Sequence, residues 1–282
     1  MQSTTDQPAE WTNYLVADYG RRRSELCKAQ DIIAPWYRRW CDELKEKPVW
    51  HRKQWEFIFI LQALWERDCL AAGKRGLVFA VGSEPIPSVL ANYGCDILAT
   101  DIFPEEGIAK GWDNANQLCF GPDSLYKCDI TDRATFDKRV EYMAVDMNAI
   151  PPTLRNFDFN WSSCSFEHLG SIEKGISFLH NQLRTLKPGG WAIHTTEYNI
   201  SSNDLTQDFN DTVVYRKIDI ERVVGELRAG GHFVEELDFS LGGMPEDFQV
   251  DFLPHRQQVH LKLQLDRFVV SSFGLIIQKK TS

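Results

Sequence analysis

The chain has no Cys-x-x-Cys pair, no basic surplus and no long apolar run. Its seven cysteines are odd in number and scattered, which excludes a disulfide framework or a cysteine-built structural zinc site and leaves reduced, partly buried thiols as the expectation. Lys and Arg total 31 against 40 Asp and Glu, a formal charge of −9. Phosphate binding draws on a cationic surplus, so no nucleic-acid partner is expected. The longest apolar stretch, "FIFILQALW" at 57–65, is far short of the roughly 20 residues that span a bilayer. "MQSTTDQPAEW" at the start lacks the basic-then-apolar order of a secretory signal. No membrane insertion and a cytoplasmic location are the expectations.

What is present is enough apolar residue, 43% of 282, to bury a large core. Residues 1–10 are polar and expected to fray. From about 18 to 73 the aromatic and aliphatic residues fall three and four apart, with Pro35 and Pro48 as breaks, which predicts an N-terminal helical segment (1–73) packed on the remainder (74–282). After Gly76 the pattern alternates. Strands are expected near 77–81, 96–100, 142–146, 157–162, 191–197, 232–239 and 268–278, and helices near 86–93, 171–186 and 218–229. "LKPGGWAIHTTEYN" reads as a helix stopped by Lys-Pro-Gly-Gly with a strand beginning at once. This order predicts an α/β fold with a mostly parallel sheet covered on both faces. The last strand follows without a crossover helix and is expected to run antiparallel.

Open parallel sheets bind ligands at the carboxyl ends of their strands, where strand order reverses. In "VFAVGSEPIPSVLANYGCDILATDIFPE" the first strand ends at Val81, Gly82 lets the backbone turn beside a ligand, and a helix starts near Pro85–Pro87. Asp101 follows 19 positions after Gly82, a spacing that suits a carboxylate accepting ribose hydroxyls. An ordinary turn with a solvated aspartate has the same pattern. A dinucleotide site would need glycines where Glu84 and Ile86 stand, and an anion beside a pyrophosphate repels it, whereas Glu84 suits the cationic ammonium or sulfonium of S-adenosylmethionine. "VEYMAVDMNAIP" ends in Asp146-Met147-Asn148, placed to take an adenine amino group and cover its ring, or merely to cap a turn.

In order, these segments resemble the class I S-adenosylmethionine-dependent methyltransferases over about residues 74–279. The resemblance implies a Rossmann-like seven-stranded, mostly parallel sheet with an antiparallel last strand, and S-adenosylmethionine as cofactor. It implies Gly82 and Glu84 in the first motif, Asp101 and Ile102 at the ribose, Asp146 and Met147 at the adenine, and Trp161, Ser162 and Ser163 on the floor. Two departures stand out: Ala80 replaces the usual acidic residue before the glycine, and the glycine triplet is reduced to Gly82. Arg52 and Trp55 in "HRKQWEF" are alternative holders of the methionine tail.

A hydroxyl acceptor needs a base, and His168, His194 and Glu197 at the ends of two strands are the catalytic candidates. Strand alternation puts His194 and Glu197 on opposite faces. Asp251, His255 and His260, with His168 or Glu197, form a metal set that matches no compact motif, so no metal is expected. The stretches 200–216 and 240–265 are expected to bind the acceptor, a small polyhydroxylated molecule or glycan. "SSFG" at 271–274 and "EHLGS" are similar to bacterial methyltransferases associated with surface glycans. A non-catalytic adenosyl-ligand or partner-binding domain is the alternative; the sequence sets no oligomeric state.

Overall fold

The computed structural model describes residues 21–281 apart from 110, 112–117 and 209–211, so the expected frayed stretch 1–10 lies outside the described residues. Ten strands are described: β1 (Ser24–Glu25), β2 (Arg75–Val78), β3 (Asp96–Asp101), β4 (Val140–Ala144), β5 (Phe157–Ser163), β6 (Leu186–Asn199), β7 (Phe233–Val234), β8 (Leu237–Asp238), β9 (Leu263–Leu265) and β10 (Phe268–Gln278). The helices are α1 (Ala29–Ile32), α2 (Pro35–Leu44), α3 (Arg52–Trp65), α4 (Ile86–Asn92), α5 (Pro104–Ala109), α6 (Pro122–Leu125), α7 (Arg133–Arg139), α8 (Ile172–Asn181) and α9 (Lys217–Ala229).

The main sheet runs β4-β3-β2-β5-β6-β10-β7, with β9 as an added hairpin strand on β10. The pairs β2–β3, β3–β4, β2–β5 and β5–β6 are parallel, and β10 is antiparallel to both β6 and β7. This is the Rossmann-like arrangement with one antiparallel strand that the sequence pattern implies. The chain steps outward from β2 through β3 to β4, then returns to lay β5 and β6 on the other side, so the order reverses between β2 and β5.

Alternation of side chains along the strands sends two cores to the two faces. One joins Val78, Ile97, Trp161 and Ile276 to Trp40 of α2, Trp55 and Phe59 of α3, and Val89 of α4. The other joins Leu77, Phe79, Phe273 and Ile277 to Phe178 of α8 and Val223 of α9. α3 can lie close on β10 because Gly274 has no side chain: a Cβ there would meet the Phe59 ring at 2.2 Å.

Three local expectations need correction. Ser24–Glu25, expected helical, is a strand pairing in parallel with Leu237–Asp238, so the expected strand 232–239 divides between the main sheet and this small ribbon. A buried cluster fixes the junction: Arg22 bonds Asp31 at 3.0 Å, Lys28 bonds Glu25 at 3.1 Å, and Lys28 also pairs with Asp238. Pro35 opens α2 instead of breaking a helix, since the first helical residue needs no N–H partner. α8 closes at Asn181 through a 3₁₀ turn over Gln182–Thr185, and Lys187-Pro188-Gly189-Gly190 already lies in β6, where the pairing with β5 is irregular.

Candidate functional site

A cavity of about 650 Å³ opens at the carboxyl ends of β2, β3, β4 and β5, where the strand order reverses. Its wall takes Ala80–Pro85 from the turn after β2, Asp101 and Ile102 from the end of β3, Val145–Asn148 from beyond β4, and Ser163–Ser165, His168 and Leu169 from beyond β5. The turns are tightly wound. Ala80 and Gly82 have φ of 50° and 54°, and Cys164 has 45°. A left-handed backbone at the non-glycine Ala80 and Cys164 is uncommon, and such strain concentrates at ligand sites.

Of the expected cofactor residues, Gly82, Glu84, Asp101, Ile102, Asp146, Met147 and Ser163 come together on this wall. Asp101 is buried; its Oδ2 accepts from the Gly82 and Cys119 N–H groups, each at 3.0 Å, and its Oδ1 from Ile102 N–H at 2.8 Å. Burial pushes its carboxyl above the ordinary range, and the three amides oppose that rise. It thus ties together the turns on either side of β3 and keeps acceptor room at Oδ1. Asp146 caps the 3₁₀ turn Met147–Ala149 through Asn148 N–H at 2.8 Å and is half-buried, while Met147 is buried.

Glu84 requires a correction. It lines the cavity, but it is 5% exposed and accepts the Trp161 indole N–H at 2.6 Å. Burial pushes its carboxyl up to about 8, against the lowering effect of Trp161 and Lys53. At neutral pH it is therefore protonated, whereas the sequence reading treated it as an anion. A cation seated in the cavity would favour its ionised form.

Trp161 and Ser162 are fully buried and are not on the cavity wall. Trp161 is core, and Ser162 Oγ meets His194 Nδ1 at 2.8 Å. His194 lies against Phe166 and Phe178 beneath α8, and burial drives its pKa down to about 3, so it stays neutral. Of the catalytic candidates only His168 lines the cavity; its Nδ1 meets Thr212 Oγ1 at 3.2 Å. Glu197 faces the opposite side of the sheet from His194, as alternation requires, and pairs with Arg52. Trp55 is core, with its indole N–H on Asp31 at 2.8 Å. Neither Arg52 nor Trp55 lines the cavity.

Beside the cavity lies a buried ionic cluster. Arg52 contacts Glu56 at 3.3 Å and Ser272 at 3.1 Å besides Glu197; Lys53 contacts Glu56 at 2.6 Å. Burial opposes ionisation of Glu56, but Lys53 and Arg52 outweigh it and pull the carboxyl down to about 2. Glu167 accepts from Thr196 Oγ1 at 3.1 Å; burial and the neighbouring Glu197 raise its carboxyl to about 8.

Sequence reasoning missed the outer wall, formed by Leu44–Glu46, Lys53 and Phe57 on one side and Lys127, Asp129 and Ile130 on another. One signal was available: Lys53 and Phe57 are four apart on α3 and share a face, while Trp55, Ile58 and Phe59 turn to the core. The left-handed C-cap at Lys45, φ 59°, turns the chain after α2 over the cavity. No described residue of 200–216 or 240–265 lines it. Instead Tyr215 bridges Tyr198 of β6, and Asp251 bridges Leu263 of β9. Asp251 and His260 meet at 2.6 Å, and His255 bonds the Gln264 carbonyl at 2.8 Å; His168 and Glu197 have the separate partners given above.

No protein-family model matches the chain, and no curated protein matches it. Solved structures do. A structure described as the [4+2]-cyclase SpnF is 16% identical, covering 79% of this chain and 83% of its own, with a TM-score of 0.49. The methyltransferase domain of a bacterial CtHen1 is 13% identical over 81% of this chain and 100% of its own, with a TM-score of 0.48. A putative methyltransferase from Bacillus halodurans is 17% identical over 78% and 98%, with a TM-score of 0.46. Likenesses at this level assign no activity to the chain.

Proposed function

We propose that the protein is an S-adenosylmethionine-dependent methyltransferase that methylates a hydroxyl of a small polyhydroxylated molecule or glycan. The observation that carries this reading is the meeting of Asp101 and Asp146, from the ends of neighbouring parallel strands, on the wall of one cavity at the reversal of strand order. Its volume falls in the range of ligand sites, about 300–1,000 Å³. In this reading the free acceptor capacity of Asp101 takes ribose hydroxyls, Asp146 takes the adenine amino group, and Met147 covers the ring. Gly82 and Ser83 border the methionine end, with Glu84 ionising as the cation arrives.

When bound, the cofactor would supply an activated methyl on a sulfonium, open to in-line displacement by an acceptor oxygen with the thioether as leaving group. The protein's share is mainly positioning. A hydroxyl acceptor also gives up its proton, and His168, the one imidazole of the three candidates on the cavity wall, is the proposed base. His194, held neutral within the sheet, and Glu197, spent on Arg52, are proposed as supporting residues. The acceptor enters between the α2 end, Lys53 and Phe57, and His168.

Parallel melting of the protein with S-adenosylmethionine, S-adenosylhomocysteine and NAD tests the donor. A ligand at 100 times its Kd stabilises by about 2.7 kcal/mol. Stabilisation by both adenosyl compounds but not NAD is expected, and the reverse pattern overturns the reading. His168→Ala is expected to keep adenosyl binding and to lose about 10²–10⁴ in turnover; unchanged turnover removes it as the base.

A further inference from the structure

We propose that Cys164, Glu167 and Glu197 form a binding site for a single borderline-soft divalent cation of the zinc class at the inner edge of the cavity. Each of the three presents a ligand atom within 4.8 Å of the others, and among the described residues this is the set of three or more metal-ligating side chains that meets so closely. Bonds of about 2.3 Å to sulfur and 2.0–2.2 Å to carboxylate oxygen require each side chain to draw inward by less than about an ångström.

An independent feature points to a ligand. Glu167 Oε1 and Glu197 Oε2 are buried with no hydrogen-bond partner, on residues 0% and 6% exposed. Each carboxylate is meanwhile held by its other oxygen, Glu167 by Thr196 Oγ1 at 3.1 Å and Glu197 by Arg52. Leaving a buried acceptor unmet costs stability, whereas a bound cation satisfies both oxygens. Oriented carboxylates with one oxygen fixed and the other free are the arrangement that metal sites use.

Cys164 supplies the sulfur. Its left-handed backbone and the bond from its N–H to Thr195 Oγ1 at 3.0 Å set the residue, and its Sγ lies 3.9 Å from Arg52 Nη1 and 3.8 Å from Thr195 Oγ1. Sulfur together with carboxylate oxygen favours zinc-like ions over magnesium or calcium, which take oxygen alone. Charge agrees. Burial holds the protons on Glu167 and Cys164 in the metal-free protein, so Glu56 and Glu197 balance Arg52 and Lys53; an arriving divalent ion that displaces those two protons leaves the cluster neutral. Because Cys164 also lines the cavity, the fourth position opens toward it, as in sites where an ion holds water or an exchangeable ligand.

Titration of the metal-stripped full-length protein with Co²⁺ and with Zn²⁺ alone tests the site, with no acceptor or methyl donor present, so failure of the methyltransferase reading leaves the outcome untouched. One equivalent of Co²⁺ is expected to give a near-ultraviolet thiolate-to-cobalt band, displaced by Zn²⁺, abolished in Cys164→Ser, weakened at least tenfold in affinity in Glu167→Gln, and retained in Cys128→Ser. Should Cys164→Ser fail to fold, the unaltered protein decides by peptide mapping: Zn²⁺ is expected to slow alkylation of Cys164 at least tenfold relative to Cys128. Absence of a cobalt band, persistence of the band in Cys164→Ser, or equal alkylation with and without Zn²⁺ overturns the site.

Discussion

The two sides of the rim where strand order reverses are built differently. On the side of β3 and β4, Asp101 and Asp146 are satisfied by backbone amides of their own or neighbouring turns. On the side of β5, β6 and β10, carboxylates are held in part by side chains far off in the chain: Arg52 meets Glu197 across 145 residues, and Ser272 meets Glu56 across 216. One side is shaped by short turns whose requirements are written beside them. The other exists only once α3 has docked on the sheet. Substitutions on the first side should therefore change ligand binding more than stability, and those on the second should do the opposite.

Arg52→Met strikes the second side hardest, because it strands Glu197 as an unpaired charge away from water and leaves Glu56 with Lys53 as its one charged partner. Breaking a buried pair in this way typically costs about 3–5 kcal/mol. Urea unfolding of the variant should show that loss, and a loss below about 1 kcal/mol would remove the contrast between the two sides.

Glu84 lies between the two, with Trp161, Lys53, Asp101 and Glu56 as the groups that act on it. Its folded value of about 8 lies above an ordinary value of 4.5, so the folded state holds a proton that the unfolded chain releases. The associated stability is present in full below pH 4.5 and is lost as pH rises toward 8, by up to about 5 kcal/mol for a fully buried group. Glu84→Gln should flatten that part of the stability profile. An adenosyl cation favours the ionised form, so its affinity should rise with pH up to about 8 in the native protein and not in the variant. Equal pH slopes in the two proteins would contradict the assigned protonation state.

Asp101→Asn turns one carboxylate oxygen into an amide donor that faces the Ile102 N–H or the Gly82 and Cys119 N–H groups, and about 1–3 kcal/mol of stability should go with it. Binding of S-adenosylhomocysteine, followed by calorimetry, should fall at least tenfold. The smallest stability change is expected for Asp146→Asn. Asparagine caps a turn nearly as well as aspartate, so the melting point should barely move while adenosyl affinity drops about tenfold. A variant that melts much earlier with unchanged affinity would make Asp146 a purely structural cap.

Legibility in the sequence followed the same division. The succession of strands and helices, and the places of Gly82, Asp101, Asp146 and Met147 near strand ends, were readable because each depends on a few adjacent residues and on period-two alternation, although β2 ends at Val78 instead of Val81 and β4 covers Val140–Ala144 instead of 142–146. The pairing of Glu197 with Arg52 and of Glu56 with Ser272 was not, since nothing local relates α3 to strands 145 and 216 residues away. Glu84 was placed correctly on the cavity but read with the wrong charge, because charge depends on burial and no single strand reveals how deep its end lies. The stretches 200–216 and 240–265 are polar and loop-like in sequence, yet their described residues pair with β6 and β9 instead of lining the cavity. The described part of the N-terminal segment was readable as helical, but Ser24–Glu25 form a ribbon with β8 that only the fold reveals.

A crystal structure of the protein grown with S-adenosylhomocysteine puts the central claim to its most direct test. The ribose hydroxyls should lie within hydrogen-bond distance of the Asp101 carboxylate, with the adenine beside Asp146 and Met147. A nucleoside bound elsewhere, or one in this cavity that touches neither carboxylate, would contradict the account.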